Sequence, residues 1–216
     1  MTRAVELNAT SIAQIAGRLF TAISPYVKVF NSMKKLDCAP WKTRATSEVF
    51  STPWFDIEHK DMVTTRGVSA QYFIHNAPDS VLVVCFRDGE ILIEHQYRPA
   101  VQRISIDYPA GRVESTDKSP AAAALRELKE ETGLLARNIK QLAVLDKDPS
   151  FSSSQIHIFL ASDFQLAKRE LDDTEDLCFE WRSCDNIASL IGKGEMTCTF
   201  CVSATYLAFR ELNLLL

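Results

Sequence analysis

The chain has 216 residues, 46% of them hydrophobic and 24% charged, with a formal net charge of −4 and a pI near 5.6. That length and apolar content suit one globular domain with an extension. The acidic balance leaves no basic stripe for nucleic acid, and no apolar run approaches the roughly 20 residues of a membrane span, so neither is expected as a partner.

Residues 1–45 read as a helical N-terminal extension. Ile12, Ile15, Leu19, Ile23, Val27 and Phe30 recur at helical spacing, with Pro25 as a kink or break. Glu6 and the lack of a strong Arg face argue against a transit peptide. Residues 46–76 read as an N-terminal β-subdomain containing Pro53-Trp54-Phe55, and residues 77–216 as the main domain. Val81–Phe86, Asp88-Gly89 and Glu90–Tyr97 spell a hairpin. Further strands are expected at Ile104–Tyr108, Gln141–Lys147, Gln155–Ala161 and Leu177–Arg182, and helices at Ala188–Ile191 and Thr199–Leu212. Strands around two or more helices imply an α/β fold with helices on both faces of a sheet.

The six cysteines fit a reduced, cytoplasmic compartment. Cys198-x-x-Cys201 has the spacing of a zinc or redox pair. It lies in an apolar run with no second pair or His cluster, so packing is the simpler reading.

The most informative stretch is Tyr108–Leu134. Ser119 reads as an N-cap, Pro120 as the first helical residue and Gly133 as the left-handed stop. Ala121, Ala124, Leu125 and Leu128 form an apolar stripe, and Glu127, Glu130 and Glu131 share a different face. The acids are badly placed for a helix selected only for stability. Glu127 and Glu131 repel at i,i+4, and Glu130 and Glu131 occupy the last turn, where the dipole favours cations. A bound hard cation removes both penalties.

Arg126-Glu127-Leu128-Lys129-Glu130-Glu131-Thr132-Gly133-Leu134 resembles the second half of the Nudix box, R-E-U-x-E-E-x-G-U with U apolar. The first half, G-x5-E, departs from the pattern: Asp117 stands six residues after Gly111, and the interval from Gly111 to Arg126 is one residue longer. Gln96-Tyr97-Arg98, the following Pro109-Ala110-Gly111 and the Pro149–Phe159 stretch are similar to ADP-ribose and nucleoside-diphosphate-sugar pyrophosphatases. The resemblance covers about residues 53–209.

It implies a Nudix α/β/α sandwich with a mixed sheet and a homodimer that shares the N-terminal β-subdomain. It also implies Mg²⁺-dependent hydrolysis, with Mn²⁺ as the alternative metal, of ADP-ribose or a related nucleoside-diphosphate-linked small molecule to a nucleoside monophosphate and a sugar phosphate. Glu127 and Glu131 correspond to the helical metal ligands, Glu130 to an accessory ligand and the Ala110 carbonyl to a main-chain ligand, while Arg126 orients Glu130. Asp173 and Glu175 are the candidates for general base. Arg98 is the expected phosphate contact, and Trp54 and Tyr72 align with adenine-stacking positions. Two rival readings are another nucleotide substrate, such as GDP-mannose or a dinucleotide, and a non-catalytic nucleotide-binding module.

Overall fold

Val81 to Cys85 is a run of five side chains with no more than 2% exposure, and the molecule is assembled around the strand that carries it. The computed structural model of the chain describes residues 39–171 and 175–214. The helix expected before residue 39 and the candidate base Asp173 lie outside the described residues.

The central strand, β4 (Ser80–Arg87), is followed by β5 (Glu90–Arg98) through Asp88-Gly89. Both turn residues have positive φ, 52° and 82°, as a type I′ hairpin requires. The two strands stay paired only at Phe86/Ile91 and Arg87/Glu90. Beyond that they diverge. β5 pairs with β6 (Arg103–Asp107) and β10 (Leu177–Ser183), while β4 pairs with the short β7 (Ala110–Arg112) and, in parallel, with β9 (Gln155–Leu166). The antiparallel β8 (Leu134–Asp146) lies outside β9. The seven-stranded mixed sheet runs β10-β5-β4-β9-β8, with β6 beside β5 and β7 beside β4.

Three helices cover the sheet: α1 (Pro120–Thr132), α2 (Cys184–Gly192) and α3 (Thr199–Glu211). On one face, Val81, Val83 and Cys85 pack with Ala123, Ala124 and Leu128 of α1 and with Leu134 and Phe159. On the other, Leu82, Val84, Ile91, Ile93 and Ile158 pack with Ile187 of α2 and with Ala204 and Ala208 of α3. Odd and even residues of β4 are both buried because helices lie on both sides, which is why it reads as an unbroken apolar run. This is the expected α/β/α sandwich. Among the described residues no helix is long and apolar enough to cross a membrane.

Ahead of this body, β1 (Lys42–Ser51), β2 (Asp56–Val63) and β3 (Ser69–Asn76) form a separate antiparallel sheet. β1 begins inside the segment read as a helical extension. The end of β3 is tied to the loop before β9: His75 N donates to Phe151 O at 2.8 Å, Ser153 N donates to His75 O at 3.1 Å, and the His75 and Phe151 rings stack at 5.7 Å. The Pro149–Phe159 stretch thus docks the small sheet.

Several further boundaries differ from the sequence reading: α2 starts at Cys184, four residues before the expected Ala188, and β9 runs to Leu166, five residues past Ala161. β8 starts at Leu134, seven residues before the expected Gln141, because this outer strand is half polar and a register shift between Gln141 and Ala143 breaks its alternation. The three residues of β7 have too little pattern to announce a strand.

Gly133 ends α1 with φ 71°, and its N–H donates to Lys129 O at 2.8 Å. A Cβ there would stand 2.9 Å from the Ala167 carbonyl oxygen. Gly133→Ala is therefore expected to destabilise the fold by about 1–3 kcal/mol, the cost of a left-handed non-glycine residue, measured as a lower denaturation midpoint with an unchanged denaturant slope.

Candidate active site

Helix α1 presents its acids to the interior. Ser119 Oγ accepts from Ala122 N at 3.2 Å, Pro120 opens the helix and Gly133 closes it. The buried face is Ala123, Ala124, Glu127, Leu128, Glu131 and Thr132. Ala121 and Leu125, placed on the buried stripe by sequence periodicity, are only half-buried. The acids expected on a different face share the buried one: Glu127 is 9% exposed and Glu131 4%.

The β6–β7 junction receives them. Glu131 Oε2 accepts from Ala110 N at 3.0 Å. The Glu127 carboxyl lies against Gly111 so closely that a Cβ there would stand 2.0 Å from its Cδ. Glycine is required at 111 by this approach, and no turn is involved.

Arg126 holds the outer side of the cluster. Its Nη1 donates to Glu127 Oε1 at 3.0 Å and Glu130 Oε2 at 2.9 Å. Nε and Nη2 donate to the two oxygens of Asp117 at 3.1 and 3.0 Å, and Nη2 also donates to Arg112 O at 3.0 Å. All five guanidinium donors are thereby used. Arg126 orients Glu127 as well as Glu130. Asp117, the irregular acid of the loop, is its bidentate partner, and that pairing holds the Asp117 carboxyl below its ordinary range.

A third buried acid escaped the sequence reading. Glu94 on β5 is 3% exposed, and its Oε1 has no hydrogen-bond partner. The signal was a lone acid closing the run Ile91-Leu92-Ile93. Burial pushes its pKa up to about 8, partly offset by Arg169 and Arg98. Burial raises Glu131 to about 10, with the charges of Glu94, Glu127 and Glu175 adding to the rise. Glu127 is raised to about 7, again chiefly by burial, against the opposing pull of Arg126. Three carboxyls in one dry space cannot all ionise cheaply. An all-oxygen donor set, with an unpartnered oxygen among them, fits a hard divalent cation.

Arg169 is a second residue that sequence patterns did not single out. Its Nε donates to Glu131 O and its Nη2 to Leu177 O at 3.0 Å, so it links the end of α1 to the start of β10. Lys129 Nζ meets Glu170 Oε2 at 2.8 Å beside it. The segment between these anchors carries Glu175. That residue is half-buried, and its charge raises Glu94, Glu127 and Glu131 alike.

A cavity of about 490 Å³ adjoins the cluster through Ala110 and Gly111, and Arg98, Arg103, Arg112 and Lys147 line it. Arg98 Nε donates to Asp107 Oδ2 at 2.9 Å, where Asp107 is buried. Among the described residues its terminal nitrogens have no hydrogen-bond partner, and the side chain is 44% exposed. Trp54 and Tyr72 are elsewhere. Trp54 is exposed in the β1–β2 turn, and Tyr72 on β3 meets Trp41 edge-on at 5.7 Å. Neither lines this cavity.

A model of the NUDIX domain matches residues 76–197, more than half of the chain. The chain belongs to the Nudix family. It is a Nudix hydrolase similar to ADP-ribose pyrophosphatases. It is 33% identical to the ADP-ribose pyrophosphatase of Bacillus subtilis over 137 residues, covering 62% of this chain and 74% of that one. It is 28% identical to the ADP compounds hydrolase of Escherichia coli over 125 residues, covering 57% and 67%. A solved structure of an ADP compounds hydrolase has the same fold, with a TM-score of 0.75 at 24% identity, covering 82% of this chain and 96% of that one.

The raised acids of this Nudix hydrolase set the sign of a pH effect. A carboxyl with a raised folded-state pKa binds its proton more tightly when folded. That stability is fully present below the unfolded value of 4.5 and is lost as pH rises through about 7 for Glu127, about 8 for Glu94 and about 10 for Glu131. In chelator, the melting temperature should therefore fall between about pH 5 and about pH 9, and Glu131→Gln should flatten the fall. Thermal melts of the two proteins across that range check this.

Proposed function

We propose that the chain hydrolyses the diphosphate of ADP-ribose or a related nucleoside-diphosphate sugar, releasing a nucleoside monophosphate and a sugar phosphate. The observation that carries this reading is the contact, through Ala110 and Gly111, between a buried carboxylate cluster and a cavity lined by four cationic side chains. Anionic phosphates suit the cations, and the metal-binding carboxylates stand beside them.

Glu127, Glu131 and the Ala110 carbonyl would hold Mg²⁺, or Mn²⁺, with Glu130 as accessory. The ion supplies charge neutralisation at the diphosphate and a more acidic water. The remaining work falls to the chain. Arg126 fixes Glu127 and Glu130 in one orientation, so the acids do not have to reorganise during reaction. Arg98 presents free guanidinium nitrogens to a phosphate while Asp107 holds its Nε. Glu175, which follows the Arg169 anchor, or Asp173 takes the proton of the attacking water. The electrostatic influence of Glu175 on the cluster favours it.

The adenine contacts assigned to Trp54 and Tyr72 need a second copy of the chain. The small sheet supports a homodimer, since Trp41, Phe50, Trp54 and Phe73 stand exposed on and around it. We assign the subdomain read from sequence as residues 46–76 to residues 42–76, because its first strand begins at Lys42, and residues 77–216 to the hydrolase domain. The free cysteines among the described residues fit the reducing cytoplasm.

The direct test is purified protein with Mg²⁺ against a panel of nucleoside-diphosphate sugars and dinucleotides, reading released monophosphate. Turnover should be highest on an ADP-linked sugar, and Glu131→Gln should lose at least ~100-fold in kcat, because it strips charge from the metal cluster. Equal turnover by the variant at saturating Mg²⁺ contradicts the assignment.

Arg98 has two roles that separate by mutation. Arg98→Ala should raise KM by the equivalent of roughly 1.5–3 kcal/mol, the scale of a charged hydrogen bond. It should also lower thermal stability, because Asp107 then stays buried without its ion partner. Adding Asp107→Asn should restore stability while KM stays high. Recovery of both would reduce Arg98 to a structural residue.

A further inference from the structure

Cys198 and Cys201 pack with the core as the sequence suggests, and they also converge on a carboxylate that the chemistry proposed above leaves to one side. Cys198 is the N-cap of α3, and Cys201 lies in its first turn. Their Sγ atoms and a carboxylate oxygen of Asp107 all lie within 4.8 Å of one another. Cys201 Sγ stands 3.9 Å from Asp107 Oδ1. Ligand atoms on a tetrahedral zinc ion stand roughly 3.5–3.8 Å apart, given bonds of about 2.0–2.2 Å to oxygen and 2.3 Å to sulfur. Small side-chain rotations would close the three onto one ion. We propose that Asp107, Cys198 and Cys201 form a binding site for a thiophilic divalent cation of the zinc class, distinct from the carboxylate cluster on α1.

The surroundings are built for a ligand set. Asp107 Oδ2 is held by Arg98 at 2.9 Å, and Oδ1 accepts from Ser105 Oγ at 2.8 Å. Outer partners of this kind fix the orientation of a ligating carboxylate. The frame is rigid: the buried Tyr108 hydroxyl meets Thr205 Oγ1 at 2.6 Å, one turn along α3 from Cys201. All three proposed ligands line the cavity, which gives an ion an entry route and leaves it one solvent-facing position.

Charge and softness agree with the assignment. Two thiolates and one carboxylate balance a divalent cation plus Arg98. The Cys201 thiol beside it and the first amides of α3 draw the Cys198 pKa down to about 7, while the neighbouring Cys198, burial and Asp107 push Cys201 up. A cation reverses the penalty on Cys201, and binding sends the thiol protons to solvent without any redox change. Sulfur ligands select zinc-class ions over Mg²⁺, the opposite preference from the all-oxygen cluster on α1. The arrangement of the three side chains is independent of what the substrate is. Its consequence is local: an ion here bears on Asp107, and through it on Arg98 at the wall of the same cavity.

Cobalt makes the site visible. The reduced full-length chain is titrated with Co²⁺ and followed in the ultraviolet, where thiolate ligation gives a charge-transfer band and all-oxygen ligation does not. The band should saturate near about one equivalent, be bleached by Zn²⁺ but not by Mg²⁺, survive Glu127→Gln, and disappear in Cys198→Ser and in Cys201→Ser. Circular dichroism confirms that each variant is folded, and either folded variant suffices. Absence of a thiolate band in the wild type, or its persistence in a folded cysteine variant, overturns the proposal.

Discussion

Glu94, Glu127 and Glu131 occupy one space from which water is largely excluded, and much of the molecule's local design follows from that burial. In a dry setting each carboxylate suffers from lost solvation and from its neighbours' charges, so all three bind protons far more strongly than exposed acids do. Protons relieve this at low pH, and a divalent cation would relieve it at neutral pH. The site is thus poised to take up a cation because of where the chain places its acids.

Several features that look independent serve that placement. Gly111 has no side chain because the Glu127 carboxyl takes the space a Cβ would fill. The Ala110 amide meets Glu131 from the same three-residue strand. Arg126 spends all its donors on two helical acids, on Asp117 and on the Arg112 carbonyl, fastening helix, loop and β7 together. Arg169 performs a similar service on the other side, spanning α1 and β10. The fork of β4 and β5 after the Asp88-Gly89 turn opens the sheet where these parts converge.

The sequence disclosed the parts that depend on local chemistry. Ser119, Pro120 and Gly133 mark α1 because caps act within one turn, and Asp88-Gly89 marks the hairpin because few residues accept positive φ. The sandwich was readable from the apolar run of β4. What stayed hidden depends on distant segments. Periodicity put Glu127 and Glu131 away from the apolar stripe, but the acids fill a gap beside Ala110 and Gly111 that no helical wheel displays. Glu94 needed β5 to swing toward α1 before its burial had meaning. The packing of Cys198 and Cys201 was readable from their apolar run, but their approach to Asp107, 91 residues earlier in the chain, was not. Trp54 and Tyr72 were matched by alignment alone, and the fold of one chain keeps them away from the cavity.

Burial raises the pKa of Glu94 to about 8 and that of Glu131 to about 10, so the cluster holds protons at neutral pH that a bound divalent cation would displace. Calorimetric titration of Mg²⁺ into the protein at about pH 7.5, repeated in buffers of different ionisation enthalpy, counts the protons released on binding. Release of about one proton or more per ion is expected, diminished in Glu131→Gln. Binding with no proton release would show that the acids are already ionised in the cation-free protein, and would contradict the claim.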